Sequence, residues 1–305
     1  MQVMAARDGL PHASRAGFGV AALLVCALAA QFVFAGAAVT ASGRSTPARS
    51  PQSALSTISG TTTPRAMVAG VRSMRMINLG GSRSEVLLGR VVANIGQAVD
   101  AVEAFWGTDW SHDIAVVATG SQGQFEAEAG GGPAAQWTDI AAVTVADRID
   151  PVRRIAIGQR IVFAPGAAGM SETALRIILS HELFHYAARA ETAQDAPQWL
   201  TEGVADYVAR PHTALPGAAA LPTTLPSDVD LAAPGFQRSL AYDWAWWFAR
   251  FVADSHGAAA LRALYRTACG MGHVDLPTAV HDVLDTDMTG VLADWRQWLI
   301  GQRSG

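Results

Sequence analysis

Lysine is absent from this chain: all 22 of its basic residues are arginine. An all-arginine set of this kind is a mark of GC-rich, bacterial coding and carries no mechanism. Cysteine is nearly absent as well. Cys26 falls in a long apolar run and Cys269 stands alone in the remainder, so no internal disulfide is available and the folded part must rely on its core. Neither sign of charge dominates. The net charge is −4, with both signs spread along the sequence, which excludes a basic face for nucleic acid.

The first feature that is present lies at the amino terminus. From Ala16 to Ala41 run 26 residues without a charge, preceded by Arg7 and Arg15, a stretch long enough to span a bilayer. A cleaved signal peptide has a shorter apolar region, of about 7 to 15 residues, although Ala35-Gly36-Ala37 and Val39-Thr40-Ala41 would each serve as a small-residue cleavage site. Residues 1–41 are therefore read as a cytoplasmic tail and transmembrane anchor, with a cleaved signal segment as the alternative. This predicts a single-pass membrane protein with an extracytoplasmic domain, or else a secreted one. Residues 42–66, rich in Ser, Thr and Pro, cannot bury a core and read as a linker. Residues 67–305 are enough for one large core or two packed lobes.

Chemistry is concentrated in two short segments. His181-Glu182-Leu183-Phe184-His185 places two histidines four residues apart, on one face of a helix and one turn above each other, so both imidazoles can reach a single ion. Ser171 is a suitable N-cap, Glu172 an acidic first turn, and no Gly or Pro interrupts the run from there into the motif. Glu182 sits where its carboxylate can take a proton from a water activated by the metal. Zinc suits two imidazoles and one carboxylate with a fourth position open.

The carboxylate is expected from the second segment, Trp199-Leu200-Thr201-Glu202-Gly203-Val204-Ala205-Asp206-Tyr207. It opens after Asp195-Ala196-Pro197, a helix-start signal, and stops at Arg210-Pro211. Glu202 and Asp206 are four apart and face the same way. One could bind zinc while the other takes the free N–H of a ligand histidine; with the histidine motif in place, Glu202 is taken as the third ligand. Gly203 in mid-helix costs about 1 kcal/mol relative to Ala, which suggests close packing against the first helix.

Around these segments the pattern is α+β. Arg72 to Trp106 reads as a short strand and then a helix, with Val91, Ile95, Val99, Val102 and Phe105 at helical spacing. Short strands follow up to Pro165, then the motif helix, the ligand helix, and three more helical patterns in the last 70 residues. Pro211 to Pro234, rich in Ala, Pro and Thr, reads as a long surface loop.

HELFH followed by WLTEGVADY resembles the gluzincins, the thermolysin-type zinc metallopeptidases, and within them the small bacterial peptidase-MA-like domains. The resemblance implies His181, His185 and Glu202 as zinc ligands, Glu182 as general base and Asp206 as the acid that orients a ligand histidine. It extends over about Val68 to Leu299. Ile114 to Gly120, Gln124-Phe125-Glu126 and Ile161 to Pro165 are similar to that family's strand, helix and edge strand, and the segments from Ala241 and from Asp294 to its C-terminal helices. The implied fold is a small mixed sheet with an active-site helix and a C-terminal helical lobe, behind an N-terminal apolar anchor helix. Tyr242 is implied as the donor that steadies the oxyanion, with Tyr207 and His212 as rivals. Sixteen residues separate His185 from Glu202, fewer than in the larger members, so the connection should be short. No GxMEN-type string is visible, which leaves exopeptidase action without support, and no third histidine follows the motif as in metzincins. The expected substrate is a peptide or protein, and the competing expectation is a noncatalytic zinc-binding or partner-binding domain of the same fold.

Overall fold

The computed structural model describes residues 65–69, 72–213, 221–233 and 235–303. The apolar run expected to be an anchor or signal segment, and nearly all of the linker, lie outside the described residues. Among those described, no helix is long and apolar enough to cross a membrane.

The first half of the fold is a five-stranded mixed sheet. It begins with β1 (Arg65–Ala69), which opens inside the stretch read as linker, and β2 (Arg72–Asn78). Helix α1 (Ser82–Trp106), β3 (Asp113–Ala118) and a short α2 (Gln122–Glu128) follow. Then come β4 (Ala142–Val145), a small hairpin of β5 (Arg148–Asp150) and β6 (Ile155–Ile157), and β7 (Arg160–Phe163). The order across the sheet is β1-β2-β3-β7-β4, parallel at the centre and antiparallel at both outer pairs.

This order corrects one expectation. Ile161 to Phe163, taken as the edge strand, is interior, and the edge beside the histidine-motif helix is β4. The reason is apolar burial: Ile161, Val162 and Phe163 are fully buried, as suits a strand paired on both sides.

All the residues of α1 expected at helical spacing are buried, and that face packs on the motif helix, α3 (Glu172–Ala188). The link between β2, α1 and β3 is fastened by Arg72, a fully buried arginine. Its guanidinium donates to Glu103 Oε1 and to the main-chain oxygens of Thr108, Trp110 and Ser111, and it stacks 3.4 Å from the Trp110 ring centre. A buried charge with every donor satisfied avoids the desolvation penalty that would otherwise exclude it.

The second half is helical: α4 (Gln198–Ala209), α5 (Asp228–Ala232), α6 (Phe236–His256), α7 (Ala258–Cys269), α8 (Leu276–Leu284) and α9 (Met288–Arg303). Two details differ from the sequence reading. The final segment contains four helices rather than three, because Gly257, at φ 92°, turns the chain between α6 and α7. The stretch read as a surface loop contains α5, nucleated by a capping box in which Ser227 and Asp230 satisfy each other's main-chain N–H groups.

Helix α3 packs on α1, α4, β4 and β7, while α4 packs most extensively on α6. Gly203 explains that contact and corrects a second expectation. It packs against α6, not α3: a Cβ there would lie 2.4 Å from the main-chain oxygen of Ala245. The missing side chain lets two helix backbones touch, and so sets how deeply α4 carries its carboxylates into the core.

Candidate metal centre

Helix α3 starts where its sequence indicates, with Ser171 Oγ accepting from Ala174 N at 3.2 Å. Its apolar residues Leu175, Leu179, Leu183 and Phe184 are fully buried, which fixes the rotation of the helix and turns His181 and His185 toward α4. Helix α4 answers with Glu202. Ligating atoms of His181, His185 and Glu202 lie within 4.8 Å of one another, in a group that is buried except for partial exposure at His185.

The protons in this group are set by Asp206. Its Oδ1 lies 2.9 Å from His181 Nδ1, and an ionised carboxylate only accepts, so Nδ1 carries a hydrogen and Nε2 is the nitrogen left to face a metal. His181 Nε2 lies 3.1 Å from His185 Nε2 and 3.2 Å from Glu202 Oε2, while His185 Nε2 lies 3.5 Å from Glu202 Oε1. Neither oxygen of Glu202 has a well-formed hydrogen bond, although both are buried. Two ring nitrogens and two carboxylate oxygens therefore converge in one buried group. Such a group is costly unless it shares a positive charge, either a proton on an imidazole or a bound cation, and the residues fit a divalent ion of the kind that takes imidazole and carboxylate ligands.

Electrostatics point the same way. Burial disfavours a charged His181, yet the hydrogen bonds and charges of Asp206 and Glu202 outweigh it and raise the pKa to about 10. Burial works on Glu202 and Asp206 in the opposite sense, but their histidine neighbours, with Arg210 beside Asp206, hold both carboxyls below the usual range. The centre is thus built to keep a positive charge.

Glu182 differs from its neighbours. Burial pushes its carboxyl up, only partly opposed by His181, His185 and Thr144. Thr144 Oγ1 lies 2.8 Å from Glu182 Oε2 and 2.7 Å from its main-chain oxygen, and its one hydrogen can serve either. Oε1 is buried with no hydrogen-bond partner. One oxygen is tethered to the edge strand and the other is bare.

Tyr242, on α6, is buried; burial first, and then Glu202 and Asp206, raise its pKa well above 10, with Glu182 adding to the effect. Its hydroxyl therefore stays protonated, under the influence of the site's carboxylates. The two rivals are turned elsewhere. Tyr207 packs edge-on against Phe105 with ring centres 5.5 Å apart, and His212 Nδ1 accepts from Arg250 Nη2 at 2.9 Å.

Two residues of the site were not singled out from sequence. Thr144 carries no signal, being a lone threonine on a short strand. Arg210 had one: it lies four residues after Asp206, ion-pairs with its Oδ2 at 3.1 Å and with Asp243 Oδ1 at 2.8 Å, and stacks 4.0 Å from the Trp246 ring centre. A cavity of about 520 Å³ between the β5–β6 hairpin and the end of α3 is lined by Trp110, Arg154, Gln159 and Tyr186, among others, and includes none of the metal-centre side chains.

No protein-family model matches the chain, and no curated protein sequence matches it.

Proposed function

We propose that the chain is a zinc-dependent peptide-bond hydrolase of the gluzincin type, with His181, His185 and Glu202 as ligands and Glu182 as general base. Bound there, zinc would supply Lewis acidity, polarising a carbonyl and making water a nucleophile near neutral pH. The protein's own groups account for the rest. Asp206 fixes the His181 tautomer. Glu182 accepts the proton released as water attacks and returns it to the departing amine, with a pKa raised by burial that suits both roles. Tyr242 donates to the carbonyl oxygen as negative charge builds on it. β4, at one edge of the sheet, lies beside Glu182, where an extended peptide would pair with it.

The bare, buried Oε1 of Glu182 carries this reading. A purely structural zinc site has no use for an unpaired carboxylate oxygen next to its ligands, and burying one costs roughly 1–3 kcal/mol or more. The N-terminal apolar run belongs to the same proposal as an anchor that holds the domain outside the cytoplasm. Metal analysis of the purified full chain, coupled to cleavage of a broad peptide library with and without chelator, tests the function. One zinc per chain and chelator-sensitive cleavage are expected; stoichiometric zinc with no cleavage would favour a noncatalytic domain.

A further inference from the structure

Among the described residues, nine large apolar side chains are exposed, and five of them fall in two short segments. Val152, Ile155 and Ile157 belong to the β5–β6 hairpin, and Met271 and Val274 to the stretch after α7. Single exposed apolar residues are ordinary, whereas a gathering of them marks a contact surface. The two segments meet. Pro151 and Arg154 of the hairpin turn line one cavity of about 330 Å³ with Gly270 and Met271. Glu191 binds both sides of it: its carboxylate pairs with Arg154 and its main-chain oxygen accepts from Met271 N at 3.0 Å. The turn is thereby fastened to the body of the domain.

The turn reads Pro151-Val152-Arg153-Arg154-Ile155, without an acid. Val152 is 91% exposed, and the side chains of Arg153 and Arg154 are 78% and 58% exposed. The acids paired with these arginines, Asp150 and Glu191, are each 16% exposed, so the cations stand outward of their partners. Arg148 on β5 and Arg266, which shares Glu191, are exposed as well. At the margin Asp147 pairs with Arg160 and Asp195 with His273, while Asp109 shares the 520 Å³ cavity with Arg153 and Arg154. An apolar tip flanked by guanidinium groups fits a bilayer with anionic headgroups, since apolar atoms can enter the acyl boundary while the arginines reach phosphate.

The chain ahead of the domain brings such a surface within reach. Between Ala41, where the apolar run ends, and Arg65, where β1 starts, are 23 residues, whose span cannot exceed about 80 Å. A folded domain of about 240 residues is roughly 45 Å across, so this tether lets any face meet the bilayer. It also raises the effective concentration of that surface to about the millimolar range, where a weak contact is populated.

We propose that the β5–β6 hairpin, with Met271, docks the domain on an anionic phospholipid surface. The inference rests on the reading of the N-terminal run as an anchor, and it gives the peptidase reading a substrate class. Glu191 follows His185 by six residues, so the metal centre would stand roughly 9 Å beyond the contact by helical rise. Its substrates would then be membrane-proximal segments of neighbouring proteins.

The test uses the full-length chain in lipid nanodiscs, with bimane attached at Val152→Cys in a Cys26→Ala background; Cys269 is fully buried. The control is Val86→Cys, an exposed apolar position on α1 that lies 20 residues, about 30 Å of helix, before the cavity residue Trp106. Discs hold phosphatidylcholine alone or mixed with phosphatidylglycerol, and a nitroxide lipid quenches labels at the headgroup level. Quenching at 152 well above that at 86 is expected in anionic discs, and little difference in phosphatidylcholine. Arg153→Glu should lower the docked population about fivefold or more, the worth of one arginine near an anionic surface. Ile155→Asp should lower it too, with thermal melting showing that both variants fold. Quenching at 152 no greater than at 86, or equal in the two lipids, overturns the inference, while retention of the chain in the discs upholds the anchor. A chain that leaves the discs sinks the anchor reading; vesicles of the anionic mixture then decide, quenching at 152 sustaining the docking and its absence overturning it. A chain that is dimeric in detergent and monomeric as Val152→Asp assigns the face to a second copy and overturns the inference. Zinc and cleavage enter none of these readouts, so the peptidase reading stands or falls separately.

Discussion

Asp206 Oδ1 lies 2.9 Å from His181 Nδ1, and that contact decides which ring nitrogen of His181 is bare. The alignment of a proposed ligand therefore depends on a residue outside the proposed ligand set. Asp206→Ala should weaken zinc affinity by roughly 10- to 100-fold, the usual cost of losing such a partner. Chelator competition measures it; an affinity equal to wild type would show that Asp206 orients nothing.

Arg210 should act one step further out. It holds the second oxygen of Asp206 and is itself pinned by Asp243 and Trp246. Arg210→Met is expected to lower zinc affinity by about tenfold, at the weak end of the same range. Arg210→Lys should restore only part of the loss, because lysine keeps the charge but not the two-pronged geometry. Equal affinities in Met and Lys variants would assign the effect to packing.

At Gly203 two effects oppose each other. Alanine gains about 1 kcal/mol in helix propensity but drives a methyl group into the backbone of α6, where overpacking costs about 1–3 kcal/mol. The cost should win, since the obstacle is main chain. Gly203→Ala should melt several degrees below wild type, and zinc binding should weaken as α4 is pushed outward. A rise in melting temperature would mean that the helices are not in contact there.

Tyr242→Phe removes only a hydroxyl. Turnover should fall about 100-fold with zinc content unchanged, as when one oxyanion donor is lost. If turnover is unaffected, Tyr242 is an ordinary core aromatic.

How far these features were legible depends on the range of the interaction. Spacing and capping within one helix were readable, so the start of α3, the bounds of α4, the pairing of His181 with His185 and the shared face of Glu202 and Asp206 all follow from local sequence. Contacts between distant elements were not. Gly203 announced a close approach, but only the fold shows that Ala245 is opposite. Ile161 to Phe163 is apolar enough for either an edge or an interior strand, and its place depends on whether β4 pairs outside it. Thr144 acquires its partner only when that strand is laid along α3. Arg210 was accessible in principle, four residues beyond Asp206, yet an arginine at that spacing is just as common on a solvated face.

The central claim concerns proton transfer at Glu182, and the Glu182→Gln variant tests it most directly. Glutamine keeps the size, and its amide can still hydrogen-bond near Thr144, but it cannot accept a proton at neutral pH. Turnover of zinc-loaded wild type and variant on the same cleavable peptide is the measurement. A fall of at least about 100-fold, with zinc content and melting temperature near wild type, is predicted from the size of general-base catalysis. A variant that retains its zinc and cleaves at the wild-type rate would contradict it.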